Sequence, residues 1–483
     1  MAIDREEILE LCRTNPEAIA DIIEKQDRII TQLTEKIVQL EARITELESR
    51  LNQNSRNSSR PPSMDGFRRP TSPRKNGERP AGGQAGHKGQ TLEWVGTPDQ
   101  IEDHPVSSCE GCGEDLENVK SVKVERRQVH DAEFKIIVTE HRVEHKRCPH
   151  CGRINRAKFP SDVQHPVQYG RNLKAFMVYL NVYQLIPYDR ISETFSDIFR
   201  RSISTGTVVN AVQDCHHNLA DVEERIRELL VDAPVLHVDE TGMRVTGVRQ
   251  WLHVASTGFL TWYGHHRKRG YQATEDMQIL PKFRGTMVHD FWASYFRYPS
   301  RHALCNAHIL RELAGITENY SQKWSEQLHA LILEIKTDVD VVRATLGSLS
   351  HEKIVEFEMR YSRIVKEGFA ENPVPTVSDM PMKRGRKKQS KARNLLDRCR
   401  KYKTQILSFM RDFSIPFSNN QAERDIRMVK LQQKISGTFR SEMGAASFCR
   451  IRGYLSTVKK NDRPVLDSLV CAFDGVPFTP SFT

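Results

Sequence analysis

The sequence predicts a multidomain α+β protein, and three observations carry that prediction. A heptad pattern runs through residues 16–51, two Cys-x-x-Cys pairs lie within residues 91–164, and strand-like runs begin to alternate with helix-like runs from residue 233. A chain of 483 residues is too long for one ordinary core. We therefore expect, in chain order, a coiled-coil helix, a small zinc-binding β unit, a helical domain and an α/β domain with a helical insertion.

The composition narrows the class of protein. Lys and Arg number 72 against 62 Asp and Glu, a formal charge of +10, which suits a polyanionic partner without requiring one. No apolar run approaches the roughly 18–20 residues that a membrane span needs, and the charged N-terminus lacks the apolar core of a signal peptide. We expect a cytoplasmic protein without a membrane partner. Its ten cysteines are then predicted to be thiols or metal ligands rather than disulfides.

The heptad pattern predicts one long helix over residues 16–51. Asn15 suits the N-cap, Pro16 the first helical position and Glu17 the positive end of the helix dipole. Apolar residues then recur by alternating steps of four and three, with Gln26 as the one polar position of the seam. Such a helix would extend about 54 Å. We expect a homo-oligomer, most simply a dimer of unspecified orientation; the alternative is packing on its own domain.

Residues 52–90 predict a flexible basic linker. They are rich in Asn, Ser, Pro, Gly and Arg, hold eight Lys or Arg against two acids, and carry too few apolar residues to form a core. Either this segment lies along phosphates or it is a solvated linker only.

Two Cys-x-x-Cys pairs, separated by 35 residues, predict a structural zinc site. Each pair can point two thiolates at one ion, and two pairs complete a closed tetrahedral Zn²⁺ site. The predicted ligands are Cys109, Cys112, Cys148 and Cys151.

Strand-like runs at 122–126 and 134–140 predict a hairpin that joins the two Cys-x-x-Cys pairs. His145 and His150 are substitute ligands. A redox pair or plain buried thiols are the alternatives to zinc.

Residues 165–232 predict a helical domain. Helices are expected at 171–185 and 188–200, and Ser204 can cap a third that runs to about residue 230. A short helix, a tight turn and a capped helix are typical of a helix-turn-helix that contacts DNA, although any helical hairpin gives the same pattern.

From residue 233 the pattern predicts a mixed α/β sheet covered by helices. The expected strands are 235–238, 251–255, 260–265, 285–289 and 302–305. Helices are expected at 272–280 and 307–313, then at 318–370 and 391–412.

The interval 383–403 holds eleven Lys or Arg and one acid, Asp397, so this part of the insertion predicts a phosphate-binding surface or a solvated helix. Its densest basic run comprises Lys383, Arg384, Arg386, Lys387 and Lys388.

Three acids are candidates for one metal centre. Asp239 and Asp290 each end an apolar strand-like run, and Glu423 lies in the first turn of a helix that Asn419 or Asn420 can cap. Neighbouring strands would set the two aspartates side by side, where both ionise readily only with a cation between them. Carboxylates on separate elements suit a pair of Mg²⁺ or Mn²⁺ ions for phosphoryl chemistry. Each acid taken singly is more typical of a structural role, such as compensation of the helix dipole by Glu423.

Other candidates flank these acids. Arg424, Arg427 and Lys430 recur every three residues beside Glu423 and predict a face toward phosphate, with a solvated surface as the alternative. Cys305 and His308 lie one helical turn apart and could brace the site or position DNA; a packed thiol and a core histidine are the alternative.

Several motifs together resemble the transposases of the insertion-sequence 66 family, and they follow the family's order over nearly the whole chain. Beside the coil and the double Cys-x-x-Cys unit, they are Asn57-Ser58-Ser59-Arg60-Pro61-Pro62, Gly82-Gly83-Gln84-Ala85-Gly86-His87, Asp239-Glu240-Thr241, Cys305-x-x-His308, Asn419-Asn420-Gln421-Ala422-Glu423-Arg424 and Gly437-Thr438-Phe439-Arg440-Ser441.

The resemblance implies a DDE transposase on an RNase H-like fold. Asp239, Asp290 and Glu423 would be the triad, and the 132 residues between Asp290 and Glu423 the helical insertion. Asp239 would bridge two Mg²⁺ or Mn²⁺ ions, and each other acid would hold one. The expected partners are double-stranded DNA at the element ends and target, a second copy of the chain, and accessory proteins encoded by the same element. The expected location is the nucleoid. The main alternative is a catalytically inactive DNA-binding regulator, and a zinc-bearing scaffold is a third reading.

The predicted organisation follows from these assignments. In chain order it is a coiled-coil oligomerisation helix (1–51), a flexible basic linker (52–90), a zinc-binding domain (91–164), a helical DNA-binding-like domain (165–232), the first part of the catalytic core (233–317), the helical insertion (318–412), the last part of the core (413–460) and a C-terminal tail (461–483).

Overall fold

The computed structural model describes residues 5–58, 65, 92–373 and 389–481. The chain divides into two compact units. One comprises residues 1–68, 165–193 and 202–483, and the other residues 69–164 and 194–201. Most of the predicted linker and the basic run 383–388 lie outside the described residues.

Two helices begin the chain, α1 (Arg5–Thr14) and α2 (Pro16–Leu51). The predicted long helix is confirmed at both ends, and the Asn15 side chain accepts a hydrogen bond from the Ala18 amide at 3.2 Å. The apolar seam of α2 is exposed in this single chain; Ile30, for example, is 59% accessible.

The unit that contains residues 92–164 has one short hairpin, β1 (His145–Arg147) antiparallel to β2 (Ile154–Arg156). The predicted strands at 122–126 and 134–140 are wrong, because neither segment forms a β ladder. Val122, Ile137 and other apolar side chains there are exposed. High β-propensity favours a strand only where a partner strand and a buried face exist.

Four α-helices follow, α3 (Arg171–Val178), α4 (Tyr188–Phe199), α5 (Thr205–Asn218) and α6 (Ala220–Val231), and a π-helical segment, Tyr179–Tyr183, continues α3. The predicted Ser204 cap is confirmed, since its side chain accepts from the Thr207 amide at 3.1 Å. The predicted third helix is divided at Leu219 into α5 and α6.

A five-stranded mixed sheet comes next. Its elements are β3 (Val235–Val245), β4 (Val248–Ser256), β5 (Thr261–His266), α7 (Tyr271–Asp276), β6 (Thr286–His289) and β7 (Arg301–Leu304). The strand order is β5-β4-β3-β6-β7. The β3–β4 and β4–β5 pairs are antiparallel, and the β3–β6 and β6–β7 pairs are parallel. All five strands were predicted, with ends that differ by a few residues except in β3.

The insertion is helical, as predicted. Its described helices are α8 (Asn306–Tyr320), α9 (Lys323–Val342), α10 (His351–Glu371), α11 (Lys391–Lys401), α12 (Lys403–Ile406) and α13 (Ser408–Arg411). They share an apolar core in which Trp324, Tyr361 and Phe409 are almost completely buried.

Three helices complete the chain, α14 (Asn420–Ser436), α15 (Glu442–Lys460) and α16 (Val465–Phe473). Helix α14 packs on β3 and β4, and α15 packs on β5. A buried ion pair between Asp425 and Lys460, with an O–N distance of 2.9 Å, joins α14 to α15. The sheet is thereby covered by helices.

Residues 52–58, the first part of the predicted linker, pack against α8. The Asn57 amide donates to Glu318 at 2.7 Å, and Asn57 is only 6% exposed. A Cβ atom at Gly315 would lie 2.2 Å from the Asn57 carbonyl oxygen, so glycine permits this close approach. This segment is therefore fixed to the insertion and is not solvated linker.

Candidate active site

The parallel pairing of β3 with β6 aligns two of the predicted acids. His237 pairs with Val288, so the same register continued by two residues sets Asp239 level with Asp290. Neighbouring strands lie about 4.8 Å apart. Asp290 directly follows β6, as predicted. The prediction that Asp239 ends its strand is wrong, because β4 pairs with β3 through Asp239 and as far as Val245.

Asp239 lies in a strongly acidic environment. Its pKa is well above the ordinary value, chiefly because of burial, and the negative charges of Glu240, Asp290 and Glu423 raise it further. One hydrogen bond opposes this shift, from the Glu240 amide to Asp239 Oδ1 at 2.8 Å. The fold thus brings the three predicted acids close enough for their charges to interact.

Asp290 is held at the end of β6 by its own loop. The Trp292 amide donates to Asp290 Oδ1 at 2.9 Å. Burial raises the pKa of Asp290, while the Trp292 hydrogen bond and the charges of Arg269 and Arg398 act in the opposite direction. Arg398 comes from α11, so the insertion contributes a positive charge to this site.

Asn419 connects three elements at the start of α14. Its side chain bonds His237 Nδ1 and donates to the Val238 carbonyl, both at 2.8 Å, and its backbone amide donates to Cys305 Sγ at 3.2 Å. Asn419 is 2% exposed and is the N-cap residue, but its side chain does not cap the helix. It fixes Glu423, one turn later, relative to β3; sequence reasoning predicted a cap at Asn419 or Asn420 and missed this role.

Glu423 faces the first turns of α8. Its Oε1 lies 3.7 Å from His308 Nδ1 and 3.5 Å from Arg311 Nη2. An i,i+4 ion pair of Glu423 with Arg427, which their spacing on α14 would allow, is therefore not the contact that the carboxylate makes. The predicted supporting residues Cys305 and His308 do lie beside the candidate triad.

A further buried carboxylate, Glu240, was not predicted as a site residue. It accepts two hydrogen bonds from Arg269, at 2.6 and 2.9 Å, and one from the Tyr295 hydroxyl. Burial and then the charge of Asp290 raise its pKa, and the Tyr295 and Arg269 hydrogen bonds oppose the shift. Arg269 also lies over the rings of Trp251 and Trp292, at 4.8 and 4.7 Å. The signal in the sequence was a charged residue, Glu240, inside a strand-like run. The sequence pattern did not reveal its partner Arg269, which lies 29 residues further along the chain.

The three candidate acids do not form a single-ion site as they lie in this structure. Among the residues that the structure describes, the only potential metal-ligand group of three or more with atoms within 4.8 Å of one another is Cys305, His308 and Glu423. Asp239, Asp290 and Glu423 together do not close to that distance. Two ions about 3.5–4 Å apart, each about 2.1 Å from its oxygen ligands, need the wider spread. The repulsion around Asp239 is what bound cations would relieve.

The predicted phosphate-facing residues divide into two groups. Arg424 and Arg427 are exposed on α14. Lys430 is half-buried and its Nζ donates to the Gly242 carbonyl at 2.8 Å, and its predicted face toward phosphate stays a prediction. The sequence showed that the basic residues recur every three positions, but it did not show that the Gly242 carbonyl lies within reach of Lys430. Lys383, Arg384, Arg386, Lys387 and Lys388 lie outside the described residues.

Both Cys-x-x-Cys pairs form the same local turn. The Cys109 amide bonds the Glu114 carbonyl and the Gly113 amide bonds the Cys109 carbonyl, at 2.9 and 2.8 Å. Cys148 and Gly152 repeat both bonds, with Arg153 as the other partner. Gly113 and Gly152 have φ of +82° and +72°, a conformation that favours glycine. The shared Cys-x-x-Cys-Gly pattern was the missed signal.

The local turns favour ionisation of two of the four candidate zinc ligands. Backbone amides lower the pKa of Cys109 and of Cys148, which favours thiolates. Within the described part of the chain the four thiols do not form one ligand group at the 4.8 Å limit. Zinc binding stays a prediction.

The block 437–441 has a structural role in this fold. The Phe439 amide and carbonyl bond Arg244 and Thr246 at the tip of the β3–β4 hairpin, at 2.9 and 2.7 Å. Ser441 then caps α15 by accepting from the Gly444 amide at 3.0 Å. This block therefore fixes the far end of the strand that carries Asp239.

None of the described helices has both the length and the apolar character that crossing a membrane requires.

Comparison with known proteins gives two family matches. Residues 12–93 match a family of unknown function (DUF6444). Residues 166–447, more than half of the chain, match the transposase IS66 family. No curated protein gives a significant match. The family match covers all three candidate acids and confirms the resemblance seen in the motifs, and the chain therefore belongs to the IS66 family of transposases.

Proposed function

We propose that this transposase is a DDE enzyme that cleaves DNA strands at the ends of its mobile element and joins them to target DNA. The observation that carries the proposal is the electrostatic coupling of Asp239 to Asp290 and Glu423. These acids come from three elements that are distant in sequence and join only through the fold. The mixed sheet covered by helices supports the RNase H-like arrangement that the family implies.

Each acid has a proposed role in binding Mg²⁺ or Mn²⁺. The charge of Asp239 interacts with those of both other acids, so its carboxylate would contribute to holding both ions. Asp290 and Glu423 would each hold one, and Glu423 would also orient the attacking water or DNA 3′-hydroxyl. When bound, such ions activate the nucleophile and stabilise the departing oxygen of an in-line displacement.

Further residues would support this site. Glu240, tied to Arg269 and Tyr295, holds the strand beneath Asp239 in place. Asn419 fixes the helix of Glu423 to the same strand. These two residues are proposed to act through the acids they position and not on the substrate.

The DNA contacts remain part of the proposal. Arg424 and Arg427 are exposed one and four residues after Glu423, where they can bind phosphate next to the cleaved bond. The basic run 383–388, the helical segment 165–232 and the zinc unit are proposed to extend this contact. The exposed seam of α2 is proposed to join two copies of the chain.

The test is metal-dependent nicking of a duplex oligonucleotide that carries the element's terminal inverted repeat. Asp239→Asn removes a charge and keeps the side-chain size, so the nicking rate with Mg²⁺ should fall at least about a hundredfold while DNA affinity stays near the wild-type value. Asp462→Asn, at an exposed position far along the chain, is the matched control and should nick normally. Wild-type protein that binds the repeat and never nicks it, with Mg²⁺ or Mn²⁺, would contradict the proposal and favour the inactive regulator.

A further inference from the structure

We propose that Cys305, His308 and Glu423 form a second metal site, for a thiophilic divalent cation such as Zn²⁺. Its ligands are one sulfur, one nitrogen and one oxygen, whereas the proposed catalytic ions have oxygen ligands. The two sites share Glu423.

The geometry of the three side chains suits one ion. Cys305 is the N-cap residue of α8, His308 follows one turn later on the same face, and Glu423 approaches from the first turn of α14. Their ligand atoms lie within 4.8 Å of one another, and His308 Nδ1 is 3.7 Å from Glu423 Oε1. Ligands of a tetrahedral zinc ion, at bond lengths of about 2.0–2.3 Å, are about 3.2–3.8 Å apart. Small side-chain movements therefore complete the site and leave a fourth position open.

His308 has an unused nitrogen in this site. Its Nδ1 is buried and the structure gives it no hydrogen-bond partner. Buried polar atoms are nearly always paired, so this nitrogen is available to bind a ligand. Burial, together with the charges of Arg311 and Arg398, lowers the pKa of His308 to about 4.

Cys305 supplies the sulfur that distinguishes this site from a magnesium site. It is fully buried, and burial raises the pKa of its thiol to about 11, so the free protein holds it protonated. On binding, the S–H bond breaks, the proton leaves to solvent and the sulfur electron pair forms the bond to the cation. Mg²⁺ prefers oxygen ligands and does not drive this exchange, whereas Zn²⁺ does.

Arg311 is a cation beside Glu423 in this structure. Its Nη2 is 3.5 Å from Oε1, which is long for a charge-assisted hydrogen bond. The guanidinium therefore yields to a divalent ion bound by three side chains.

The consequence for activity rests on the proposed function. A carboxylate whose charge is engaged by Zn²⁺ is a weaker ligand for Mg²⁺, so zinc at this site should inhibit strand cleavage.

The first experiment titrates the full-length protein with Co²⁺, which reports thiolate ligands by sulfur-to-metal charge-transfer absorption, and measures bound cobalt by equilibrium dialysis. Wild-type protein should bind one equivalent more than Cys305→Ser. The other cysteines are unchanged between the two, so their contribution cancels in the difference. Cys471→Ser, at a partly buried cysteine of α16, is the matched control and should bind as wild type.

His308→Asn provides a second variant, because Nδ1 has no hydrogen bond to lose, and it should weaken the same equivalent at least about tenfold. Equal cobalt binding by wild type, Cys305→Ser and His308→Asn would overturn the site.

The second experiment separates this site from the proposed function. Zn²⁺ should inhibit Mg²⁺-dependent nicking by wild type and inhibit Cys305→Ser at least about tenfold more weakly. Asp239→Asn should abolish nicking and keep the extra cobalt equivalent. Cobalt binding without nicking in wild type would refute the transposase chemistry alone; equal zinc inhibition of wild type and Cys305→Ser would refute the regulatory role of this site.

Discussion

The acid pocket, formed by Asp239, Asp290 and Glu423, and the two cysteine turns, at residues 109–113 and 148–152, present their candidate metal ligands in opposite ways. Asp239, Asp290 and Glu423 come from different elements and are held together by packing, by strand register and by Asn419. Each cysteine turn is made by its own backbone hydrogen bonds within a few residues, and its thiols are largely exposed. One site is assembled by the tertiary fold, and the other is prepared only locally.

The pKa shifts in the two regions are opposite in direction. Burial and mutual repulsion raise the pKa of Asp239, so its charged form is unfavourable without a cation. Backbone amides lower the pKa of Cys109, so its thiolate is favoured before any ion binds. A cation would relieve the electrostatic repulsion among acids that the fold already places close together. Zinc, in contrast, would have to bring the two separate cysteine turns together and order the residues around them.

The largest expected effect is therefore at the cysteine turns. Structural zinc sites contribute about 10–16 kcal/mol of binding free energy that is also folding free energy. Cys109→Ser removes one ligand and should leave residues 92–164 susceptible to limited proteolysis, and end-binding affinity for DNA should fall. Mass spectrometry of the fragments locates the cuts.

The control is Cys12→Ser, at an exposed cysteine of α1, which should be cut no faster than wild type. Resistance of Cys109→Ser to protease, with unchanged DNA affinity, would show that the two turns do not share a zinc ion.

The next effect tests whether the acid pocket depends on packing. Asn419→Ala leaves His237 Nδ1 and the Val238 carbonyl buried without their partner, which should cost roughly 2–4 kcal/mol of unfolding free energy. Urea denaturation followed by tryptophan fluorescence measures it. Asn420→Ala, one residue later and exposed, should change stability by less than about 0.5 kcal/mol. Similar losses in both variants would mean that Asn419 is an ordinary helix cap.

Local signals predicted the fold wherever neighbouring residues decide it. The Asn15 cap and heptad pattern gave the bounds of α2, Ser204 gave the start of α5, and apolar runs gave the five strands. The strand ends depend on partners instead. Asp239 ends an apolar run, yet β4 pairs beyond it to Val245, which no property of the run reveals.

The same limit applies to the candidate site. The acids were visible because carboxylates after strands and at a helix start form a recognisable set. The groups that position them were not, because Asn419 contacts Val238 across 181 residues and Arg269 reaches Glu240 from another strand's loop. The prediction of a hairpin at 122–140 was wrong because high β-propensity does not order a strand that has no partner strand and no surface to pack on.

The smallest expected effect is a gain in thermal stability at neutral pH when Asp239 is replaced by Asn. A carboxylate with a raised pKa stabilises the folded state fully below its unfolded pKa of about 4, and that contribution is lost as the pH rises through the folded value. Asn mimics the protonated form at every pH. Without divalent ions, Asp239→Asn should therefore melt at a higher temperature than wild type at neutral pH, and the difference should vanish as the pH falls toward 4. Added Mg²⁺ should raise the melting temperature of wild type and not of the variant.

Scanning calorimetry with and without EDTA measures these melting temperatures, with Asp462→Asn as control. If Asp239→Asn were less stable than wild type at neutral pH without metal, Asp239 would be held by unrecognised favourable contacts, and the acid pocket would resemble the cysteine turns after all.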